Sequence, residues 1–505
     1  MKLLVEKSQD YGGLSYDMNK KIFILFFLLQ FFAANSFGQL WYITRGLSTD
    51  EVAWGIDVDS AGNIYWAVEE KNQWPYWYFN IFLFKINSNG QQIWQSSPFG
   101  WTYNDIAFVV KVEGQNVFLA GRTDSTLYPD SGDALVLSYD LINGGFEWQY
   151  IYNPVPDYGY EEIDGLMVQP DGIYFSGWTK GQTTDEDFLV QKISLTGQLV
   201  WTNAWDYNHQ FDGANGHMAM DNNFLYTAGH TNLLNGSLVC FSRTNGAYQW
   251  DVTWSGSGND EALGLTMSAD SMLYVVGYFG SSQYGSQTCL EKFTRTGQLQ
   301  WTHIWGGTGS EDSRALVTDG DSIIYVVGTT TSYGSGGKDI FILKYDSAGT
   351  LIDSLLWGGM YDEVAKDVVM YGDYLYITGE TQSYGNGNIN GDHKEDGLLL
   401  KVNGRTMQAP DSSMTNISSP LLYVQNAIEI YPNPSNGTFR LSLSDGKLGK
   451  NYELKIFDVF GRIVKQAGNI TDDQQIDCSN LNNGLYLLQL RKNDIVIGQK
   501  KIIKQ

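Results

Sequence analysis

One phrase repeats seven times between Leu40 and about Gly404, and it constrains the fold more than any other feature of the sequence. Its clearest copy runs from Trp301 through the acidic pair Glu311-Asp312 and a segment ending at Gly328, then through DIFILKYD from Asp339. The copies open at intervals of about 50 residues, at Trp41, Trp94, Trp148, Trp201, Trp250, Trp301 and, in the seventh, Asp353. A period of this length, made of short strands, predicts a radial array of β-sheets.

Each copy predicts four strands, because runs of four to eight residues alternate with turns of Asp, Asn, Ser and Gly. One aromatic residue and one glycine recur in the second of these strands, and we interpret them as repeated core packing rather than as a ligand site. The aromatic residues are Tyr65, Phe118, Tyr174, Tyr226, Tyr274, Tyr325 and Tyr376, and the glycines are Gly121, Gly177, Gly229, Gly277, Gly328 and Gly379, with Ala67 in the first copy.

The order of the strands predicts how the array closes. The chain enters the array on a Trp strand that has no three strands before it, and it leaves after Gly404 with three strands and no Trp strand. A ring completed by the N-terminal strand would leave no exposed sheet edge. The sequence therefore predicts an all-β protein with a seven-bladed β-propeller over residues 39–404, and the alternative is an open superhelical stack of sheets.

The repeat resembles that of a known protein family. The run W…W-GG…DE…IYVVG.T…D.F.LKYD..G is similar to the SBBP β-propeller repeats of bacterial secreted proteins, most clearly in copies five to seven and least in the fourth, where Asn235-Gly236 replaces the Asp-bearing loop. The resemblance implies a propeller and no particular chemistry.

Charge and cysteine content exclude several classes of function. The formal net charge of −24 argues against nucleic acid or anionic membrane surfaces as partners, since both require a basic face. Three cysteines give no disulfide framework. Cys240 and Cys289 stand in similar places of neighbouring copies, where two buried thiols are favoured over a bridge between blades.

The N-terminal residues 1–38 predict an export signal. Met18 to Lys21 form a basic region, Ile22 to Phe32 form an apolar run too short to cross a bilayer, and Gly38-Gln39 is the expected cleavage site. Met18 is the expected start of translation, with an extended basic region as the alternative. Once this signal is removed, no transmembrane segment is expected.

The last residues, 426–505, follow a linker at 405–425 and predict a small Ig-like β-sandwich. They resemble the C-terminal sorting domain of the type IX secretion system of the Bacteroidetes. The resemblance rests on a YPNP..G opening, a DVFGR turn, an NGLY strand and a Lys-rich end, with the residues Tyr431, Pro432, Asn433, Pro434, Gly437, Asp458, Gly461, Arg462, Gly484, Tyr486, Lys500 and Lys501. It implies the type IX secretion machinery as a partner and a secreted or outer-surface location. An ordinary Ig-like binding module is the alternative.

The polar residues that recur in the array are acidic pairs at the start of each first strand. They suggest a carboxylate ring at one mouth of the channel, suited to Ca²⁺ because hard cations take oxygen ligands. The candidate ligands are Asp260, Glu261, Glu311, Asp312, Asp362 and Glu363. We favour the alternative that each carboxylate accepts hydrogen bonds from a neighbouring turn or strand.

Ligand contact is expected instead in the variable loops. Trp74, Tyr76 and Trp77 form an aromatic cluster in the first copy, of the kind that stacks on sugar rings or packs on proteins. The sequence contains no HExxH motif, no nucleophile elbow and no cofactor motif. We therefore expect a binding or adhesion module for an extracellular glycan or protein, with a hydrolase acting at the channel mouth as the alternative.

Overall fold

The computed structural model describes residues 40–46, 50–71, 79–100, 104–124, 132–154, 159–180, 186–207, 211–232, 235–255, 258–280, 285–320, 322–384, 394–410, 428–433, 435–443, 452–457, 463–468, 470–471, 474–492 and 495–504. Every regular element within these ranges is a β-strand. They hold no helix that could span a membrane.

Residues 41–403 form seven four-stranded antiparallel sheets, named first to seventh in chain order. The N-terminal strand β1 (Trp41–Arg45) belongs to the seventh sheet. The first sheet contains β2 (Glu51–Val58), β3 (Ile64–Lys71), β4 (Phe79–Ile86) and β5 (Gln92–Gln95). The second contains β6 (Asp105–Glu113), β7 (Asn116–Asp124), β8 (Gly132–Asp140) and β9 (Phe146–Tyr152). The third contains β10 (Glu161–Gln169), β11 (Gly172–Lys180), β12 (Glu186–Ile193) and β13 (Leu199–Trp205).

The remaining four sheets follow the same order. The fourth contains β14 (Met218–Met220), β15 (Phe224–Thr231), β16 (Asn235–Ser242) and β17 (Tyr248–Trp254). The fifth contains β18 (Asp260–Met267), β19 (Leu273–Phe279), β20 (Gln287–Phe293) and β21 (Leu299–Trp305). The sixth contains β22 (Glu311–Thr318), β23 (Ile323–Thr330), β24 (Asp339–Asp346) and β25 (Leu351–Trp357). The seventh contains β26 (Glu363–Tyr371), β27 (Tyr374–Thr381), β28 (Asp396–Asn403) and β1.

The first strands of the seven sheets lie side by side in a closed cycle, in which each contacts the next and β26 contacts β2. The seventh sheet is completed by β1, which runs antiparallel to β28. The seventh and first sheets are also joined by the Trp66 indole N–H, which donates to the Thr378 hydroxyl at 2.8 Å. The expectation that a ring leaves no sheet edge is wrong, because the fourth strand of each sheet pairs on one side only.

Cross-strand rows explain the repeated aromatic residues. In the third sheet, Tyr174 lies opposite Lys192, which in turn lies opposite Trp201. The Lys192 ammonium is 4.7 Å from the centre of the Tyr174 ring, a distance suited to a cation–π interaction. Ring centres of the aromatic residue and the tryptophan lie 5.9 to 6.1 Å apart in six sheets, in the pairs Tyr65–Trp94, Phe118–Trp148, Tyr174–Trp201, Tyr226–Trp250, Tyr274–Trp301 and Trp41–Tyr376.

Glycines in the last hairpin of each sheet bring the sheets together. Gly297 of the fifth sheet has φ +77°, and a Cβ there would lie 2.9 Å from the ring of Trp250 in the fourth sheet. A left-handed conformation and a close approach together require glycine at this position. The same contact recurs around the cycle, in the pairs Gly90–Trp41, Gly144–Trp94, Gly197–Trp148, Gly246–Trp201, Gly297–Trp250 and Gly349–Trp301. The tryptophan that opens each copy therefore packs within its own sheet and against the next.

The three cysteines are free and buried. Cys240 lies between Tyr226 and Trp250, in the row that lysine occupies in other sheets, whereas Cys289 lies opposite Gly277. The two thiols therefore do not occupy equivalent places, contrary to the expectation from the sequence.

The C-terminal residues form two antiparallel sheets around one apolar core. A three-stranded sheet contains β29 (Ile428–Tyr431), β30 (Thr438–Leu443) and β33 (Gln474–Asp477). A four-stranded sheet contains β31 (Tyr452–Phe457), β32 (Ile463–Gly468), β34 (Gly484–Lys492) and β35 (Ile495–Lys504). Leu441, Leu454 and Leu488 are fully buried between the sheets.

The motif residues of this domain connect its first turn to its last strand. Tyr431-Pro432 is a cis peptide bond, and the Asn433 side-chain oxygen accepts a hydrogen bond from the Ile503 N–H at 2.9 Å. Tyr486 is 9% exposed, and its hydroxyl donates to the Asn482 carbonyl. Lys500 and Lys501 lie in β35, Gly484 begins β34 and Gly437 precedes β30. Pro434, Asp458, Gly461 and Arg462 lie outside the described residues.

Candidate functional site

A bulge in the first strand aims one side chain of each sheet at the axis of the cycle. The register shifts near the start of this strand in six sheets. In the fourth sheet the corresponding residue lies just before β14. The resulting side chains line one cavity and are Trp54, Phe108, Asp164, Asn215, Leu263, Arg314 and Lys366. Because they belong to seven different sheets, the cavity lies on the axis.

The bulge also explains the glycine that ends the second strand. Gly277 lies opposite Ala262, directly before the bulge of the fifth sheet, and a Cβ there would collide with the carbonyl oxygen of Glu261. In the first sheet the residue at this position is Val68, opposite Ala53, so the prediction that Ala67 replaces the glycine is wrong; there the irregularity spans two residues, Trp54 and Gly55. The recurring glycine is therefore required by the close approach of two backbones.

The acidic pairs contribute one carboxylate per sheet to a buried row, which is 0 to 4% exposed. This buried row contains Glu51, Asp105, Glu161, Asp212, Asp260, Glu311 and Glu363. Its members accept hydrogen bonds from the neighbouring loops and strands. Glu311 accepts from the Thr330 hydroxyl at 2.9 Å and the Gly307 N–H at 2.9 Å. These contacts favour the interpretation that this row holds the sheet connections in place.

The other members of the pairs have different surroundings. Glu261 and Asp312 follow the buried residue, and side-chain alternation turns them toward the axis. Asp362 precedes the buried Glu363, and its side chain is 39% exposed beside Lys338. The six calcium candidates therefore do not form one ring. Among the described residues, no group of three or more His, Cys, Asp or Glu side chains is arranged to hold a metal ion.

In each sheet, the residue after the buried carboxylate pairs with a residue of the second strand, and these seven partners form a rim around the cavity. They come from the second strand of each sheet and are Glu69, Arg122, Trp178, His230, Tyr278, Thr329 and Glu380. Arg122 of the second sheet lies 3.2 Å from Glu162 of the third. Its guanidinium also lies 5.0 Å from the centre of the Tyr160 ring. The Tyr160 ring in turn stacks parallel to the Trp178 ring, with ring centres 4.6 Å apart. The rim thus combines acidic, basic and stacked aromatic groups.

Two carboxyls of the third sheet share a low-dielectric environment. Asp164 lines the cavity, and its Oδ2 atom is buried without a hydrogen-bond partner. Burial, and next the negative charge of the neighbouring Glu162, raise the pKa of Asp164 well above its ordinary value. Burial and the neighbouring charge thus favour the neutral form of the Asp164 carboxyl group, which also hydrogen-bonds Glu162.

Glu261, in contrast, is held in its ionised form. Burial alone would raise the pKa of this carboxyl, but His230 at 3.8 Å and hydrogen bonds from Asn215 and Tyr278 lower the pKa of Glu261 to about 2. The Tyr278 hydroxyl donates at 2.7 Å and the Asn215 amide at 2.6 Å. Glu261 therefore remains ionised and fixes three side chains of the rim and cavity wall.

A contact across the axis closes the cavity on one side. His217 Nε2 of the fourth sheet lies 3.2 Å from Asp367 Oδ1 of the seventh, and these sheets are not neighbours in the cycle. Beside this contact, the Lys366 ammonium lies 4.3 Å from the centre of the Trp54 ring and 3.4 Å from Glu380. The remaining cavity of about 80 Å³ has room for a few water molecules, an ion or one polar group of a larger ligand.

We name this arrangement the axial cup, with its floor at His217 and Asp367, its wall at the seven bulge residues and its rim on the second strands. Sequence reasoning missed most of its members, including Arg122, Arg314 and Lys366. A comparison of the seven copies could have identified them, because the packing residues recur in the copies while the residues that face the axis differ in every one. Trp74, Tyr76 and Trp77, and the cleavage site Gly38-Gln39, lie outside the described residues.

Comparisons with known proteins concern both parts of the chain. No curated protein matches the sequence. The chain is similar in structure to the quinohemoprotein alcohol dehydrogenase ADHIIG from Pseudomonas putida HK5, with 12% identity over 76% of this chain and 80% of that chain and a TM-score of 0.41. It is also similar to the Pan2 WD40 domain from Neurospora crassa, with 10% identity over 71% of this chain and 97% of that chain and a TM-score of 0.43.

The C-terminal domain matches a family directly. Residues 429–505 match the model described as a secretion system C-terminal sorting domain. Such a domain implies interaction with the type IX secretion machinery. The protein is therefore exported by type IX secretion to the cell surface or the extracellular space.

Proposed function

We propose that the protein is an exported binding module in which residues 39–404 form a seven-bladed β-propeller of SBBP type closed by β1. A linker at 405–425 joins it to the sorting domain at 426–505. The closed cycle of seven four-stranded sheets supports the propeller. The sorting domain supports an origin in the Bacteroidetes.

The observation that carries the binding role is the contrast between packing and axis-facing residues. A purely structural ring would repeat its axis as it repeats its Trp, Tyr and Gly contacts. The axial cup instead places the Asp164 carboxyl group, whose pKa is raised, on the third sheet and the cations Arg314 and Lys366 on the sixth and seventh. In a cycle of seven, these positions lie on opposite sides of the axis. The cup thus places two cations, whose carboxylate partners are Asp312 and Glu380, opposite a carboxyl group, and an acidic group of a ligand would bind beside these ion pairs.

The size of the cavity indicates how a ligand would enter. A space of about 80 Å³ is smaller than the pockets of roughly 300–1,000 Å³ that enclose whole small molecules. A larger ligand would therefore insert one polar group and rest on the rim, where Trp178 and Tyr160 provide an aromatic surface. Acidic sugars and carboxylate-bearing peptides of the extracellular space have such groups.

A binding screen on the purified full-length chain tests this function. The probes are a glycan array that includes uronic acids and a set of short peptides with free C-terminal carboxylates. We expect saturable binding that Lys366→Met weakens at least tenfold, because the variant keeps the aliphatic stem and removes the charge. Lys338→Met is the matched control, since Lys338 lies beside Asp362 outside the cup. Equal binding by both variants, or no binding of any probe, would contradict the proposal.

A second candidate function, hydrolysis of a glycan or peptide, is favoured by one observation. Two carboxyls on the axis have opposite pKa shifts, raised at Asp164 and lowered to about 2 at Glu261. Glycosidases use one protonated and one ionised carboxyl in this way. Turnover of a polysaccharide or peptide that is lost in both Asp164→Asn and Glu261→Gln would establish this function in place of simple binding.

A further inference from the structure

A second and larger cavity lies away from the axis, between the first and second sheets. It measures about 580 Å³, which falls within the range of small-molecule sites. Phe99, Tyr139, Phe146 and Ile151 form its apolar side. We name it the side pocket.

The side pocket exists because Phe99 is smaller than the tryptophan that the third to sixth sheets carry at the same position. Phe99 forms a bridge with Ile81, at the place where Trp205 pairs with Phe188 in the third sheet and Trp357 pairs with Ile340 in the sixth. The Trp205 ring lies flat against Tyr248 of the next sheet, with ring centres 5.2 Å apart. Phe99 and its counterpart Phe146 are 6.1 Å apart and tilted. An indole occupies this position in four sheets, as Trp205, Trp254, Trp305 and Trp357, and the smaller phenyl ring of Phe99 leaves the gap open.

The polar end of the side pocket is formed by the Asp105 and Asp124 carboxylates together with the Thr123 hydroxyl, which hydrogen-bonds Asp105. Among the described residues that line the pocket there is neither Lys nor Arg. Asp105 is 4% exposed. The Asn80 side-chain oxygen, in a residue 5% exposed, is buried without a hydrogen-bond partner. This oxygen and the Asp105 carboxylate both approach Gly100 on the pocket wall. A buried acceptor without a donor is costly, so a donor from a ligand would stabilise this site.

We propose that the side pocket binds a small molecule that carries a protonated primary amine on an apolar or sugar body. A primary ammonium has three N–H donors and one positive charge, which match the Asp105 and Asp124 carboxylates that line the pocket. The aromatic side would hold the body of the ligand, and a volume of about 580 Å³ admits a ring-sized body. The site is separate from the axial cup, and its ligand has the opposite charge.

Protonation of Asp105 should control this binding. Burial raises the pKa of Asp105 to about 7, against a hydrogen bond from Thr123 that lowers this pKa and with a smaller contribution from the negative charge of Asp124. The other titratable groups facing it are Asp133, which interacts with Asp124, and Tyr139. A cation binds the ionised carboxylate, so affinity should rise as the pH increases from 5.5 to 8. Phenethylamine is the probe for this pH dependence, because as an alkylamine it has a pKa that resembles that of lysine and remains protonated over this range.

Isothermal titration calorimetry of the full-length chain with phenethylamine and with glucosamine tests the proposal and distinguishes an aromatic from a sugar body. We expect saturable binding of at least one amine, and binding at least tenfold weaker for its neutral counterpart, 2-phenylethanol or glucose. Asp105→Asn should weaken amine binding at least tenfold. Asp260→Asn, the same position of the buried row in the fifth sheet, should leave it unchanged.

A pocket-filling variant guards against loss of binding through misfolding. Phe99→Trp introduces the indole that other sheets already contain, so the protein should keep its stability in a thermal melt and lose amine binding. Three results would overturn the proposal, namely no saturable binding of either amine, equal binding of the neutral counterparts, or unchanged binding in a folded Phe99→Trp protein.

Discussion

Replacing the two members of one acidic pair separately would show whether the buried row and the axial cup are distinct. Glu311 and Asp312 are consecutive in the sequence, yet Glu311 is fully buried while the Asp312 side chain is 31% exposed. Alanine at each position removes one carboxylate from the same sheet. The two variants should differ strongly in stability.

The magnitude follows from the hydrogen bonds that each carboxylate accepts. Glu311→Ala leaves the Thr330 hydroxyl and the Gly307 N–H without their acceptor, whereas the Gln287 amide keeps the Gly307 carbonyl as its other acceptor. A buried donor without a partner costs about 1–3 kcal/mol, so the free energy of unfolding should fall by about 3 kcal/mol or more. Asp312→Ala removes a partly exposed ion pair with Arg314 at 2.9 Å. Such pairs contribute about 0–1 kcal/mol, so the loss should stay below about 1 kcal/mol.

Urea denaturation followed by tryptophan fluorescence measures both variants, and the shift of the midpoint at constant slope gives the change in stability. Asp362→Ala serves as a control, because Asp362 is exposed and lies 3.9 Å from Lys338. We expect the control to resemble Asp312→Ala. If Asp312→Ala destabilised the protein as much as Glu311→Ala, or if Glu311→Ala cost less than about 1 kcal/mol, the division of the pairs into two rows would be refuted.

Three further predictions use the same denaturation assay. Gly297→Ala should cost at least about 1 kcal/mol more than Gly114→Ala, because both glycines have positive φ but only Gly297 faces a tryptophan, and equal losses would contradict the packing argument. Trp41→Ala should cost about 2 kcal/mol or more, since the half-buried ring joins the seventh and first sheets, whereas an open array would leave stability unchanged. Burial is the leading cause that raises the pKa of Glu291 to about 7, so its unfavourable ionisation in the folded state lowers stability as the pH rises from about 4.5 to 7. Glu291→Gln, which copies the bond between Gln191 and Thr202 in the third sheet, should raise stability at pH 8 by up to about 3 kcal/mol and change it little at pH 4.5, and a loss at pH 8 would refute this account.

The acidic pairs show where sequence reasoning loses resolution. A strand alternates its faces residue by residue, so a shift of one position decides whether a carboxylate is buried or faces the axis. In the third, fifth and sixth sheets the first member of the pair is buried, as at Glu311, and in the first, second and seventh the second member is, as at Glu363. Nothing in a pair such as Asp362-Glu363 marks which member will be buried. The hydrogen bonds to loops that are distant in sequence make that choice.

The sequence alone determined the strands, the period and the packing contacts, because these depend on residue types that recur locally, such as Trp250 and the hairpin glycine Gly297. It also determined the exported destination, through a C-terminal domain that is recognisable from its motifs. The axial cup and the side pocket were decided only by the tertiary structure. The cup joins side chains from seven sheets that meet when the cycle closes, as His217 and Asp367 do. The pocket arises from the size of one ring, Phe99, relative to the gap between two sheets, and that gap is defined only after the sheets have packed.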